Sequence, residues 1–290
     1  MLVPEYSITS EILKNLSVIE YSRALIENTP ILPHWEKQLE KEAKIKTITS
    51  SLGLDGIYAS PETIKKILEG LETKAIPEEI RNLIGALKIV NEINKSNEID
   101  ENNLLALHKI VSEDLIPEIQ QGKFRSKRYS GHTPPEEILA SVVETFDWLN
   151  SLDAKETHPV LVAGIVYARL VLIWPFENLN FVVAVLISKI IRKIAGYEFK
   201  GFICIEDYLF KNINSYQKGI ESIKNEEYTE FLELYTLATA SEVANTKEKV
   251  LLLARDTKVA KASGTLDLTP RQARLIEYLQ DYGTLQNKDF

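Results

Sequence analysis

The chain reads as mainly α, a helical bundle, on three observations. Apolar residues recur at three- and four-residue spacing through most of the sequence. No run of strictly alternating apolar and polar residues is long enough to build a sheet. Two near-continuous apolar stretches, 159–173 and 182–194, have helix length and are joined by a short loop rich in asparagine and aromatic residues.

The elements follow in order. Residues 10–29 carry a helical apolar pattern. Residues 61–71 carry another, with Ser60 as cap and Pro61 and Glu62 in the first turn. Residues 80–93 and 102–111 are amphipathic helices. The segment 123–133, with Phe124, Arg125, Tyr129 and Gly131, predicts a short β-hairpin. Helices then follow at 135–149, 159–173, 182–194, 208–223 and 228–243. The charged stretch 247–264 reads as a helix tail and linker. Thr269 and Pro270 start a last helix with Leu275, Ile276 and Leu279 on one face and Gly283 as its stop. The organisation is an N-terminal helical region at 1–98, a core at 99–245, a linker at 246–266 and a tail at 267–290.

Composition narrows the function classes. A net charge of -8 over 290 residues gives no general basic surface for nucleic acid or anionic lipid. Cys204 is the single cysteine, so an internal disulfide framework and a multi-cysteine metal site are excluded, and a reducing cytoplasm fits. The N-terminal residues lack the charge and apolar pattern of a signal peptide. The apolar run 159–176 contains Arg169 and ends at Pro175 and a polar loop, which predicts a buried helix rather than a membrane span.

The loop Trp174-Pro175-Phe176-Glu177-Asn178-Leu179-Asn180-Phe181-Val182 carries the most information. Taken alone, it suits a packed helical hairpin capped by its asparagines. Its order resembles the active-site motif of the Fic (Fido) family, H-P-F-x-[D/E]-G-N-G-R-x-x-R. Pro175, Phe176 and Asn180 match. Trp174 stands for the histidine, Asn178 for the acid, Leu179 and Phe181 for the glycines, and Val182 and Val185 for the arginines. Upstream, Gly122-Lys123-Phe124-Arg125 resembles the family's G-x-[F/Y]-R, and Pro134-Pro135-Glu136-Glu137-Ile138 its P-P-x-x-[V/I]. The resemblance covers about residues 99–240.

The resemblance implies a Fic-type bundle with a hairpin flap, and a C-terminal tail like the first part of a winged helix. It also implies transfer of AMP from a nucleotide to a protein hydroxyl. The substitutions argue against that reaction. An indole has no free lone pair to act as general base, and base loss alone costs about 10²–10⁴-fold. Asn178 offers Mg²⁺ a neutral oxygen where a carboxylate is expected. Valines cannot clamp phosphate. No catalytic group is intact at Trp174, Asn178, Asn180, Val182 and Val185. The expectation is an inactive or strongly impaired protein-interaction or signalling module, with no cofactor and no metal. A divergent transferase using ATP and Mg²⁺, with Glu177 or His132 taking new roles, is the first alternative. A DNA-binding regulator, resting on the tail, is the second.

Other residues carry expectations by resemblance. Asn180 and Tyr216 would face a nucleotide. The flap residues Lys123, Phe124, Arg125, Lys127, Arg128, Tyr129 and Gly131 would hold a target protein of unknown identity. Ser51, Asp55 and Gly56 resemble the family's inhibitory motif [S/T]-x-x-x-E-[G/N], whose glutamate pairs with the second motif arginine, here Val185. A homodimer is left open; nucleic acid and membrane are not expected partners. His158 reads as a helix cap, and His34 and His108 as ordinary helix or loop residues.

Overall fold

The computed structural model describes residues 2–71, 76–93, 98–224 and 226–263, with side chains as far as Arg255. The expected winged-helix-like tail at 267–290 lies outside the described residues. Twelve α-helices are described: α1 (Ser10–Asn28), α2 (Pro33–Leu54), α3 (Pro61–Leu68), α4 (Glu78–Glu92), α5 (Glu101–Val111), α6 (Ile138–Leu149), α7 (Leu152–Glu156), α8 (Pro159–Ile173), α9 (Asn180–Ile194), α10 (Ile205–Lys211), α11 (Ile213–Ser222) and α12 (Thr229–Ser263). Strand-like pairing among the described residues is confined to isolated bridges, Glu5 with Glu227 and Lys224 with Glu227. The mainly helical class is therefore as expected.

The two apolar stretches form the centre. A helix that is apolar on every face must be surrounded, and α8 and α9 are buried almost throughout. They pack on each other, with α12 and α6 against α8, and α2, α4 and α5 against α9. Helix α1 lies along α12, where Ile12, Ile19 and Ile26 are buried. Asn15 Nδ2 donates to Thr236 Oγ1 at 3.1 Å across that joint. The chain start is tied in by two backbone bonds, Glu5 N–H to Glu226 O and Tyr228 N–H to Glu5 O, both 2.8 Å. No helix among the described residues is long and apolar enough to cross a membrane.

Four elements differ from the sequence reading. Helix α2 was not among the expected helices, because its first half is dominated by charged residues and shows no clean apolar face. The expected helix at 208–223 is divided between α10 and α11 at Asn212 (φ -110°, ψ 43°). Helix α12 continues to Ser263, through most of the segment expected to be a linker. Residues 123–133 form no hairpin: the segment is irregular. Its order comes from one guanidinium, described below, instead of a ladder of main-chain bonds.

Candidate functional site

The loop between α8 and α9 is held by its own side chains. Trp174 ends α8 in the left-handed conformation (φ 53°, ψ 62°). Leu179 opens α9 in the same region (φ 57°, ψ 27°). Such backbone costs about 1 kcal/mol or more for a residue with a Cβ. Burial of Leu179 to 3% exposure offsets it. Asn180 closes the turn: its Oδ1 accepts from Phe176 N–H at 2.9 Å and its Nδ2 donates to Phe176 O at 3.0 Å. The side chain is buried with both ends satisfied, so it serves the loop's own backbone.

Phe176 is fully buried and stacks on His108, with ring centroids 3.7 Å apart. His108 Nδ1 accepts from Gly122 N–H at 3.0 Å, so Nε2 carries the ring proton. Burial dominates its environment and holds it down at about 4, against opposing contacts with Asn178. His108 is therefore a neutral wedge under the loop, contrary to its reading as an ordinary helix residue. A lone histidine on an amphipathic helix gives no sequence signal of this role.

Arg125 is the staple of the flap segment. Its guanidinium donates to the carbonyls of Ile173, Trp174, Lys127 and Thr133. Two of these are end-of-helix carbonyls of α8 that lack intrahelical partners. The Arg125 backbone N–H also reaches Pro175 O at 2.9 Å. At 3% exposure, Arg125 is committed to the protein interior, which corrects its expected place on a target-binding surface. Phe124 packs partly buried near Phe176. Tyr129 donates to Glu177 Oε2 at 2.8 Å, linking the flap to the loop. Lys123, Lys127, Arg128 and Gly131 are exposed, with Arg128 paired to Glu136.

His132 stacks on Trp174 with centroids 4.9 Å apart, and its Nδ1 lies 3.2 Å from Leu172 O. A carbonyl only accepts, so Nδ1 carries the proton and Nε2 keeps a free lone pair. Burial pushes the ring below its ordinary value, so it is neutral at pH 7.

The N-terminus of α9 is already occupied. Asp55, at the C-terminal end of α2, accepts from Phe181 N–H at 3.3 Å and from Val182 N–H at 2.8 Å. These are the free amides that make a helix start an anion site. Burial pushes this carboxyl up to about 7, although the Val182, Phe181 and Asn180 amides oppose the rise. Gly56 follows at φ 77°, which lets α2 end there. Ser51 is fully buried. Val182 and Val185 are buried in the core. Tyr216 is buried as well, receiving the Tyr167 hydroxyl at 3.0 Å and touching Phe181 edge-on. Position 55 was expected to face Val185; it faces backbone amides instead, a contact that residue types alone do not reveal.

Beside the loop lies a groove of about 690 Å³, lined by Asp55, Glu79, Trp174, Glu177, Asn178 and Phe181 among others, with no Lys, Arg or His among the described residues that line it. Among the described residues no group of three or more His, Cys, Asp or Glu could hold a metal ion.

No family model matches the chain. Among curated proteins, it is similar to the protein adenylyltransferase Fic of Aedes aegypti, 34% identical over 172 residues, covering 56% of this chain and 34% of that protein. It is 31% identical to the protein of the same name from Culex quinquefasciatus over 195 residues, 63% of this chain and 39% of that one. The chain thus spans about a third of the length of the curated relatives it matches. Among solved structures it is similar to a Fic family protein from Desulfovibrio desulfuricans G20, with TM-score 0.71 and 20% identity, over 99% of this chain and 85% of that one. It is also similar to a Fic domain containing signaling protein from Bacteroides thetaiotaomicron VPI-5482, with TM-score 0.67 and 20% identity, over 85% and 98% of the two chains.

Proposed function

Because the chain carries a Fic domain, we propose that it acts as a protein-interaction or signalling module of that fold in which nucleotidyl transfer is abolished or strongly impaired. The observation that carries this reading is the seat of Asp55 on the Phe181 and Val182 amides. A nucleotide phosphate held at this helix start would compete with a carboxyl supplied by the chain itself. The surrounding residues agree. Trp174 cannot accept the proton of an attacking hydroxyl. Val182 and Val185 are buried hydrocarbons where phosphate would need cations. Among the described residues the adjoining groove is lined by Glu79 and Glu177, with Asp55 partly ionised at neutral pH, and by no basic residue, which disfavours a triphosphate. Asn178 is a weak ligand for Mg²⁺, so this donor set does not fit a Mg–nucleotide complex. Leu179 holds positive φ at the place of a motif glycine, the region that glycine adopts most readily.

The exposed flap residues Lys123, Lys127 and Arg128 are the ones left to meet a protein partner, since Arg125 is consumed internally. A second reading, a divergent adenylyltransferase, is favoured by the free Nε2 of His132 beside Trp174. It is also favoured by the relatives called protein adenylyltransferase.

The test combines ATP, GTP, CTP and UTP, each with Mg²⁺ or Mn²⁺, and follows both thermal unfolding and transfer to proteins by mass spectrometry. The expected outcome is no modified protein, and no saturable stabilisation at millimolar nucleotide that is lost on altering the loop in Asn178→Ala. Transfer that disappears in His132→Asn would overturn the first reading in favour of the second.

A further inference from the structure

A second groove lies away from the loop, along the first half of α2 and the far end of α9. Its volume is about 760 Å³, within the range of small-molecule sites. Ala43, Leu87 and Phe202 give it a buried apolar floor. Six lysines line it, Lys37, Lys41, Lys44, Lys189, Lys193 and Lys200, against Glu36, Glu40 and Glu198. This is a local excess of positive charge in a chain of net charge -8.

Half of these lysines are accounted for. Lys41 pairs with Glu69 at 2.7 Å, Lys189 with Glu206 at 3.2 Å, and Lys200 with Glu36 at 3.4 Å. Lys37, Lys44 and Lys193 close no ion pair among the described residues; Lys193 donates to a neutral acceptor, Asn91 O. Lys44 is partly buried, and burial with repulsion from Lys88 pushes its ammonium below the ordinary value despite attraction from Glu40. Glu40 in turn is pushed up, by burial and by Glu36, against attraction from Lys44 and Lys37. A partly desolvated ammonium without a bridging carboxylate is unfavourable unless an anion completes it. Several ammonium donors on different walls suit the separate oxygens of a tetrahedral oxyanion, and the floor suits an apolar body.

We propose that this groove binds a small phosphate monoester with an apolar or aromatic body, held by Lys37, Lys44 and Lys193 over Ala43, Leu87 and Phe202. The site goes beyond the reading of the loop and does not depend on it. Lys193 lies thirteen residues past Asn180 on the same helix, about 20 Å along its axis.

Thermal unfolding of the full chain with phenyl phosphate, inorganic phosphate and chloride, all at one ionic strength, tests the proposal. Phenyl phosphate is expected to raise Tm saturably, inorganic phosphate less, and chloride not at all. Lys44→Met combined with Lys193→Met should weaken phenyl phosphate roughly tenfold, whereas Lys14→Met, on α1, should leave it unchanged. Lys193→Gln alone is the milder variant should the double substitution disturb folding, and it should still weaken binding. No saturable shift, or an undiminished affinity in the Lys44 and Lys193 variants, overturns the site.

Discussion

Asp55 places an ionisable group against a helix start inside a partly buried joint, and this gives it a readable titration. Its folded value of about 7 lies above the ordinary 3.8. The native state therefore binds this proton more tightly than the unfolded chain does. The corresponding stability is complete below pH about 4 and is lost as pH rises through about 7. Asp55→Asn fixes the neutral form. Urea unfolding across that window should show the wild type losing roughly 2–4 kcal/mol relative to the variant between pH 4 and pH 8. A difference that does not change with pH would remove Asp55 as a buried carboxyl. Residue order singled out Asn180 as facing a nucleotide; in the structure its amide is bonded to the Phe176 N–H and carbonyl. The seat of Asp55 was not legible, because its partners lie 126 and 127 residues away and are main-chain amides. Side-chain identity cannot announce a contact with backbone.

Helices α8 and α12 meet at Gly164. A Cβ there would stand 2.9 Å from Tyr235 Cδ1 and 3.0 Å from Leu232 Cδ2. Gly164→Val should cost about 1–3 kcal/mol through overpacking, read as a lower urea midpoint with an unchanged slope. An unchanged midpoint would mean that the two helices do not approach this closely. At this scale the apolar periodicity was sufficient for α1, α8 and α9, because burial of whole faces imprints the sequence. It was insufficient for α2, whose early turns carry lysines and glutamates that line the second groove. It also misread 123–133, where the aromatic and glycine pattern suggested a hairpin. One buried arginine organises that segment, and a guanidinium serving four carbonyls leaves no periodic trace.

Across the molecule, a charged seam joins α2, α9, α10 and α12. Lys189 bridges to Glu206 and to Thr47, while Lys46 lies between Asp207 and Glu242. Burial works to raise Glu206, but Lys189 and Arg192 outweigh it and hold the group at about 2. The sign is opposite to that of Asp55: the stability is present above pH about 4.5 and is lost as pH falls towards 2. Glu206→Gln should cost about 3 kcal/mol at pH 7, since it leaves Lys189 without its charge partner. It should also flatten the acid limb of a pH series followed by circular dichroism; an acid limb as steep as the wild type's would show that another carboxylate controls it. The clasp of Asn180 around Phe176 has a consequence for the way this molecule breathes. The Phe176 amide sits in a loop, yet it is buried and bonded to a side chain anchored in α9. Its proton should exchange with deuterium as slowly as those of the central helices, while neighbouring flap amides exchange quickly. The loop then opens with the innermost unit of the protein and not with its surface.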